Sequence, residues 1–346
     1  VTFDRSATDA LPVGKLPMEL LGRLLSGALP TDDRVLVGPG VGRDAAVLDF
    51  GDTRLVIKSD PITFASDSAP LYLVSVNAND LACLGATPRW LMVTALLPEG
   101  ATTAGSVESM FGELVDACRS QGISLIGGHT EITSGLDRPI LVGTMIGETT
   151  REGLIEPGCG QPGDRLVLTR PIAVEGTALI ARELRDQLSD AFDDDFLDRC
   201  ASLLVDPGIS VASHARALIA TGGVSALHDP TEGGLASGIR EIAVAAGCGA
   251  VINRDRVPVL PETAALCDHF GLDPLGLLAS GSLLAAVRPE NVPDVEALTW
   301  PDGSRPVIIG KLAVPERGFD LVSNGAVERL PLFATDEYAR LIVSLS

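Results

Sequence analysis

Thr103–Ile126, TAGSVESMFGELVDACRSQGISLI, carries the clearest fold signal in the chain. Val107, Met110, Phe111, Leu114, Val115 and Cys118 recur at i, i+3, i+4, i+7, i+8 and i+11, which predicts an amphipathic helix over 103–121. Gly122 stands where a helix ends on glycine, and the apolar run Ile123–Ile126 follows as a strand. The same alternation extends in both directions. A short helix is expected over 16–25, strands over 34–37, 45–50 and 54–58, a helix over 71–85, and strands over 90–97 and 140–147. In this reading Asp60 ends its strand, and Gly127-Gly128-His129-Thr130 forms a loop after Ile126.

A Gly- and Pro-rich stretch at 151–163 marks a boundary. Beyond it come strand 165–169, helix 174–184, an aspartate-rich solvated segment at 188–197, helix 209–221, strand 224–228 and helix 232–246. Strands at 282–287, 307–309 and 319–322 complete the pattern. The class is therefore α/β (α+β). The 346 residues divide into an arm and helix at 1–33, one domain over 34–150 and a second over 151–346.

The net charge of −20 argues against nucleic acid or an anionic membrane surface as partner, since both require a basic face. It is compatible with a polyanionic small molecule when divalent cations lie between carboxylates and phosphates. The six cysteines are scattered without a CxxC pair, as expected for reduced thiols in a cytoplasmic protein. No apolar run approaches the ~18 residues of a membrane span. No basic segment followed by an apolar one opens the chain, so no leader is expected.

Several positions are candidates for chemistry. Asp44 follows the glycine turn Gly38–Gly42, Asp60 follows an apolar run, and Asp80 lies on an otherwise apolar helix. An aspartate in apolar surroundings is costly without a cation or hydrogen-bond partner, and hard cations prefer carboxylate oxygens. Each of the three equally fits a cap or turn residue. The glycine turn fits a phosphate-approaching loop or an ordinary hairpin. His228-Asp229-Pro230-Thr231-Glu232-Gly233-Gly234-Leu235 fits an anion-facing helix start or a capped helix with an acidic first turn. His129 fits a base, a phosphate donor or a structural side chain.

Taken in order, six segments resemble the superfamily of aminoimidazole ribonucleotide (AIR) synthetase, thiamine-monophosphate kinase, selenophosphate synthetase and the hydrogenase maturation factor HypE, most of all HypE-like proteins. They are Gly42–Ala46, Ser59-Asp60, Asn79–Ala82 with Gly85–Pro88, Gly127–Glu131, His228–Leu235 and Ala279–Leu284. The resemblance implies a PurM-like two-domain fold in which the N-terminal domains of a homodimer form a β-barrel flanked by C-terminal α/β domains. It implies ATP in the cleft, Mg²⁺ on Asp44, Asp60 and Asp80, and nucleotide contacts from those residues with Asn79, Gly127, Gly128 and Thr130. His129, Asp229 and Glu232 become the candidate catalytic residues. The implied activity is ATP-dependent activation of a small acceptor by phosphoryl transfer, or nucleotide binding by a maturation scaffold with a protein partner and no turnover. An α/β metabolite-binding protein without a nucleotide site is the third reading.

Departures from the family pattern narrow these expectations. Arg43 stands where relatives often carry a second acidic residue, and His129 where several carry Asp or Glu. HypE ends in a cysteine that receives a carbamoyl group. The sequence here ends Leu341-Ile342-Val343-Ser344-Leu345-Ser346, so that transfer is not expected of it as it stands.

Overall fold

The structure is a computed structural model that describes residues 16, 18–25, 30, 32–40, 45–63, 68–156, 158–301 and 303–345. After helix α1 (Met18–Leu25), the first half contains β1 (Val35–Val37), β2 (Ala46–Phe50), β3 (Thr53–Ile62), α2 (Ala69–Cys83), β4 (Thr87–Pro98), α3 (Ala104–Ser120), β5 (Ser124–Thr133) and β6 (Ile140–Thr150). Its strands form one sheet in the order β1-β2-β3-β6-β4-β5. All its pairings are antiparallel except β4 with β5, which α3 connects as a crossover. The expected α3 is present, started by a Thr103–Ser106 capping box.

The second half contains β7 (Arg165–Leu168), α4 (Val174–Glu183), α5 (Arg185–Leu188), α6 (Asp194–Ser202), α7 (Ala212–Ile219), β8 (Val224–His228), α8 (Gly234–Ala245), β9 (Gly249–Asn253), α9 (Pro261–Phe270), β10 (Leu284–Val287), α10 (Val292–Glu296), β11 (Val307–Ala313), β12 (Phe319–Ser323), β13 (Ala326–Arg329) and α11 (Glu337–Leu345). Its sheet has the order β13-β12-β9-β11-β7-β10-β8. Among the described residues, no helix is long and apolar enough to cross a membrane.

Two expectations change. β3 runs on to Ile62, so Asp60 sits inside the strand, paired with Gly143 of β6. Gly127–Thr130 is strand rather than loop, paired with β4 along its whole length. The two glycines weaken a strand by themselves, but β4 supplies the partner and Gly128 must be small. Gly128 has φ +148°, and a Cβ there would lie 1.8 Å from the Val93 carbonyl oxygen. Sequence periodicity also left out β9, α9 and α11.

Helix α2 joins the two halves. Leu73, Val74 and Leu81 are fully buried against the first sheet, each contributing about 1.5–3 kcal/mol. Tyr72 packs in the main core of the second half, while Ala82 and Cys83 pack with Val167, Val211 and Trp300. A helix covered on both sides reads as apolar all round, and so it does here. Two β6 glycines seat it. A Cβ on Gly143 would meet Asn77 and Leu73 at 3.0–3.2 Å, and one on Gly147 would meet Leu81 at 2.7 Å.

Candidate functional site

β3 alternates, and its even-numbered residues face α2. Val56 is fully buried, and Lys58 pairs across the sheet with the buried Met145. The close seating of α2 then places Asp80 above this row. The Lys58 Nζ lies 3.1 Å from Asp60 Oδ2 and 3.2 Å from Asp80 Oδ2. The Asp80 side chain is 9% exposed and that of Asp60 34%, so the pair opens to solvent on the Asp60 side. The buried aspartate on an apolar helix thus has the cationic partner its burial requires.

Asn77, one turn before Asp80, fixes the other carboxylate. Its Oδ1 accepts the Asp60 backbone N–H at 3.2 Å, and its Nδ2 donates to the Leu73 carbonyl at 2.9 Å. Asn79 faces the second half. Its Nδ2 donates to the Ile209 carbonyl and its Oδ1 accepts the Val211 N–H, both at 2.9 Å. With its amide spent on these bonds and no exposure to solvent, Asn79 acts as a clamp between the halves.

One turn beyond Asp80, the Cys83 thiol donates to Asp229 Oδ1 at 3.5 Å. Asp229 follows β8, whose last residue, His228, meets Glu241 of α8 with Nε2 and Oε2 2.7 Å apart. Asp80, Cys83, His228 and Glu241 line one small cavity between α2 and the β8–α8 corner. Helix α2 thus meets Asp60 through Lys58 and Asp80, and Asp229 through Cys83.

The other candidates lie apart. Gly128 occupies the same cross-strand row as Asp60, through Gly143 and Val93. It is three strand spacings away, roughly 14 Å. His129 alternates to the opposite face of the sheet, is 67% exposed and lies 3.4 Å from Glu131. Within one chain it does not meet the Asp60–Asp80 pair. Glu232 belongs to a second acidic group with Glu175 and Asp336. Burial pushes Glu175 up to about 7, against the Ser280 N–H that donates to it, and the Asp336 and Glu232 charges add to the rise. Burial likewise raises Asp336 to about 6, although it accepts the Gly233 and Tyr338 N–H groups. Gly233 thus gives its N–H to Asp336. Asp44, with Gly42 and Arg43, lies outside the described residues.

Among the described residues, no group of three or more His, Cys, Asp or Glu side chains is arranged to hold a metal by itself. Two carboxylates converging on one ammonium is nevertheless a donor set that fits Mg²⁺. That ion takes one or two protein carboxylates and completes its shell with water and phosphate oxygens.

Sequence reasoning missed Lys58, Asn77, Cys83, Glu241 and Glu175. Two of these had a readable signal. Lys58 shares a strand face with Asp60 at spacing two, and Asn77 shares a helix face with Asp80 at spacing three. The His228–Glu241 contact depends on how α8 packs on β8.

Two family models cover most of the chain: the N-terminal domain of AIR synthase related proteins over residues 42–149 and the C-terminal domain over 161–319. The chain belongs to the AIR synthase-related family. Within it, the HypE-like likeness is direct. The carbamoyl dehydratase HypE of Rhodobacter capsulatus is 30% identical over 295 residues, 80% of each chain. A crystal structure of HypE in complex with ATP superimposes with a TM-score of 0.70 at 23% identity, covering 91% of this chain and 95% of that one. HypE in a HypE–HypF complex superimposes at 0.71 and 20% identity, covering 90% and 99%. The PurM-like two-domain fold of the family is the fold seen here, with one sheet in each half.

Proposed function

We propose that this protein binds Mg·ATP between the first sheet and the β8–α8 corner and uses it, in a HypE-like manner, to activate a small acceptor by phosphoryl transfer. The convergence of Asp60 and Asp80 on one cation, beside a cavity closed by the second half, carries the reading. The ATP bound by a HypE structure of the same fold supports it. In this reading Asp60 and Asp80, with Asp44, hold Mg²⁺, which neutralises charge on the transferred group. Asn77 fixes the backbone at Asp60, and Asn79 holds the halves in register. Asp229 and Glu232 approach from the second half. Residues 34–150 form the nucleotide-binding unit, residues 151–346 the flanking one and residues 1–33 an arm, in a cytoplasmic protein.

Gly127, Gly128, His129 and Thr130 lie on an edge strand, so they reach a nucleotide only along the sheet or through a second copy. The outer face of the first sheet supports a homodimer. Leu48, Leu55, Ile57, Val142 and Ile146 are only half-buried there, and Ile126 on β5 is 53% exposed. Pairing of two such sheets forms the family's β-barrel.

Calorimetry with a non-hydrolysable ATP analogue and Mg²⁺ tests the site. Asp60→Asn weakens binding by about tenfold or more, and undiminished binding overturns the metal assignment. A turnover assay for ADP or AMP release with candidate acceptors tests the chemistry. A second reading, a nucleotide-binding partner protein without turnover, is favoured by the HypE–HypF assembly. Tight binding with no release across a broad acceptor panel selects it.

A further inference from the structure

Lys58 is an unusual neighbour for a divalent-metal site. Its ammonium sits in the gap between the two carboxylates, 3.1 and 3.2 Å from their oxygens. An Mg²⁺ bridging Asp60 and Asp80 would need oxygens at about 2.0–2.1 Å, and it would occupy the same gap. The two cations would compete for the same pair of carboxylates.

We propose that Lys58 is a built-in cation that keeps the Asp60–Asp80 pair closed to divalent metal until a polyphosphate arrives. The inference rests on the metal–nucleotide reading above and adds its order of assembly. Three observations carry it. The Lys58 and Asp80 side chains are only 12% and 9% exposed, so the attraction between them is weakly screened by water. The ammonium halves the charge of the carboxylate pair, which lowers its attraction for a second cation. Lysine is a point charge on a flexible stem, able to turn toward other oxygens without a fixed geometry. Phosphates entering on the open, Asp60 side offer it such oxygens, and the gap is then released to the metal that accompanies them.

The test is titration of the full chain with Mn²⁺ as a paramagnetic probe, with and without a non-hydrolysable ATP analogue. Wild type binds Mn²⁺ weakly alone and tightly with the analogue. In Lys58→Met, Mn²⁺ alone binds about tenfold tighter or more than in wild type, and the analogue adds correspondingly less. Lys58→Gln, which keeps a hydrogen-bonding side chain in the gap, shows the same gain and serves if the methionine variant does not fold. Adding Asp80→Asn removes the gain, which ties it to this pair. Unchanged or weaker Mn²⁺ binding in both Lys58 variants, with wild type still binding Mn²⁺ in the presence of analogue, overturns the role of Lys58 and leaves the metal site standing. Absence of Mn²⁺ binding in every protein, even with analogue, overturns both.

Discussion

Asp60, which pairs with Asp80 of α2 through Lys58, and the Gly127–Thr130 strand stand in one sheet, with Asp60 and Gly128 in one cross-strand row, yet they occupy opposite environments. The first lies under α2, closed by Lys58 and Asn77, with its partners in the same chain. The second is an edge strand, open to solvent along nearly its whole length. The contrast separates two kinds of site. One is complete within a single chain except for its ligand. The other is paired on one edge with β4 and has no strand on its outer edge among the described residues. Substitutions should therefore act on stability at the first and on association at the second.

The largest effect is expected at Asp80. Asp80→Ala takes from the nearly buried Lys58 the more buried of its two described carboxylates, and breaking a buried pair from one side costs about 3–5 kcal/mol. Urea denaturation measures it, and a loss under about 1 kcal/mol would place the pair with ordinary surface bridges.

A buried carboxylate with no salt bridge among the described residues sharpens the comparison. Glu175 faces the Tyr72 end of α2, and its folded value of about 7 stands above the ordinary 4.5. The folded state therefore holds a proton that the unfolded chain has released between these values. The contribution of Glu175 to stability is full below about 4.5 and is lost as pH rises through about 7. Glu175→Gln removes that fall, so the difference between the two proteins changes by about 3 kcal/mol across the window. Melting curves from pH 4.5 to 7.5 read it, and parallel curves refute the burial argument.

On the edge strand the expected effects are on assembly. Ile126→Lys, on the outer face and 53% exposed, weakens self-association by about tenfold or more in sedimentation equilibrium, with the monomer's melting temperature little changed. Unaltered association moves the dimer contact off β5. His129→Ala is the mildest. The residue is exposed on the outer face, and among the described residues its ion pair is the surface contact to Glu131, so stability stays within about 0.5 kcal/mol of wild type. A larger loss in urea denaturation shows that the edge is already covered.

Much of this was legible in the chain because it is local. The α3 stripe, the all-round apolar α2 and the strand at β8 follow from side-chain periods of 3.6 and 2, which neighbouring residues impose. So does the argument that an aspartate on an apolar helix needs a partner. The Gly127–Thr130 strand was misread for a physical reason: two glycines have little strand preference by themselves, and only the approach of β4 makes them favourable. α9 and α11 escaped because they start within Pro- and Asp-rich stretches that read as turns.

The sequence by itself determined the order of elements in the first half, the α/β class, and Asp60 and Asp80 as residues in need of a cation or a hydrogen-bond partner. Tertiary structure alone decided that the cation in place is Lys58, that Asn79 clamps the halves, and that His129 faces away from the pair. These depend on register and on helix seating over residues far apart in the chain, here through the small Gly143 and Gly147 that let α2 settle onto the sheet. A period repeated along one segment specifies its own faces, but not which residue of a distant segment will lie above them.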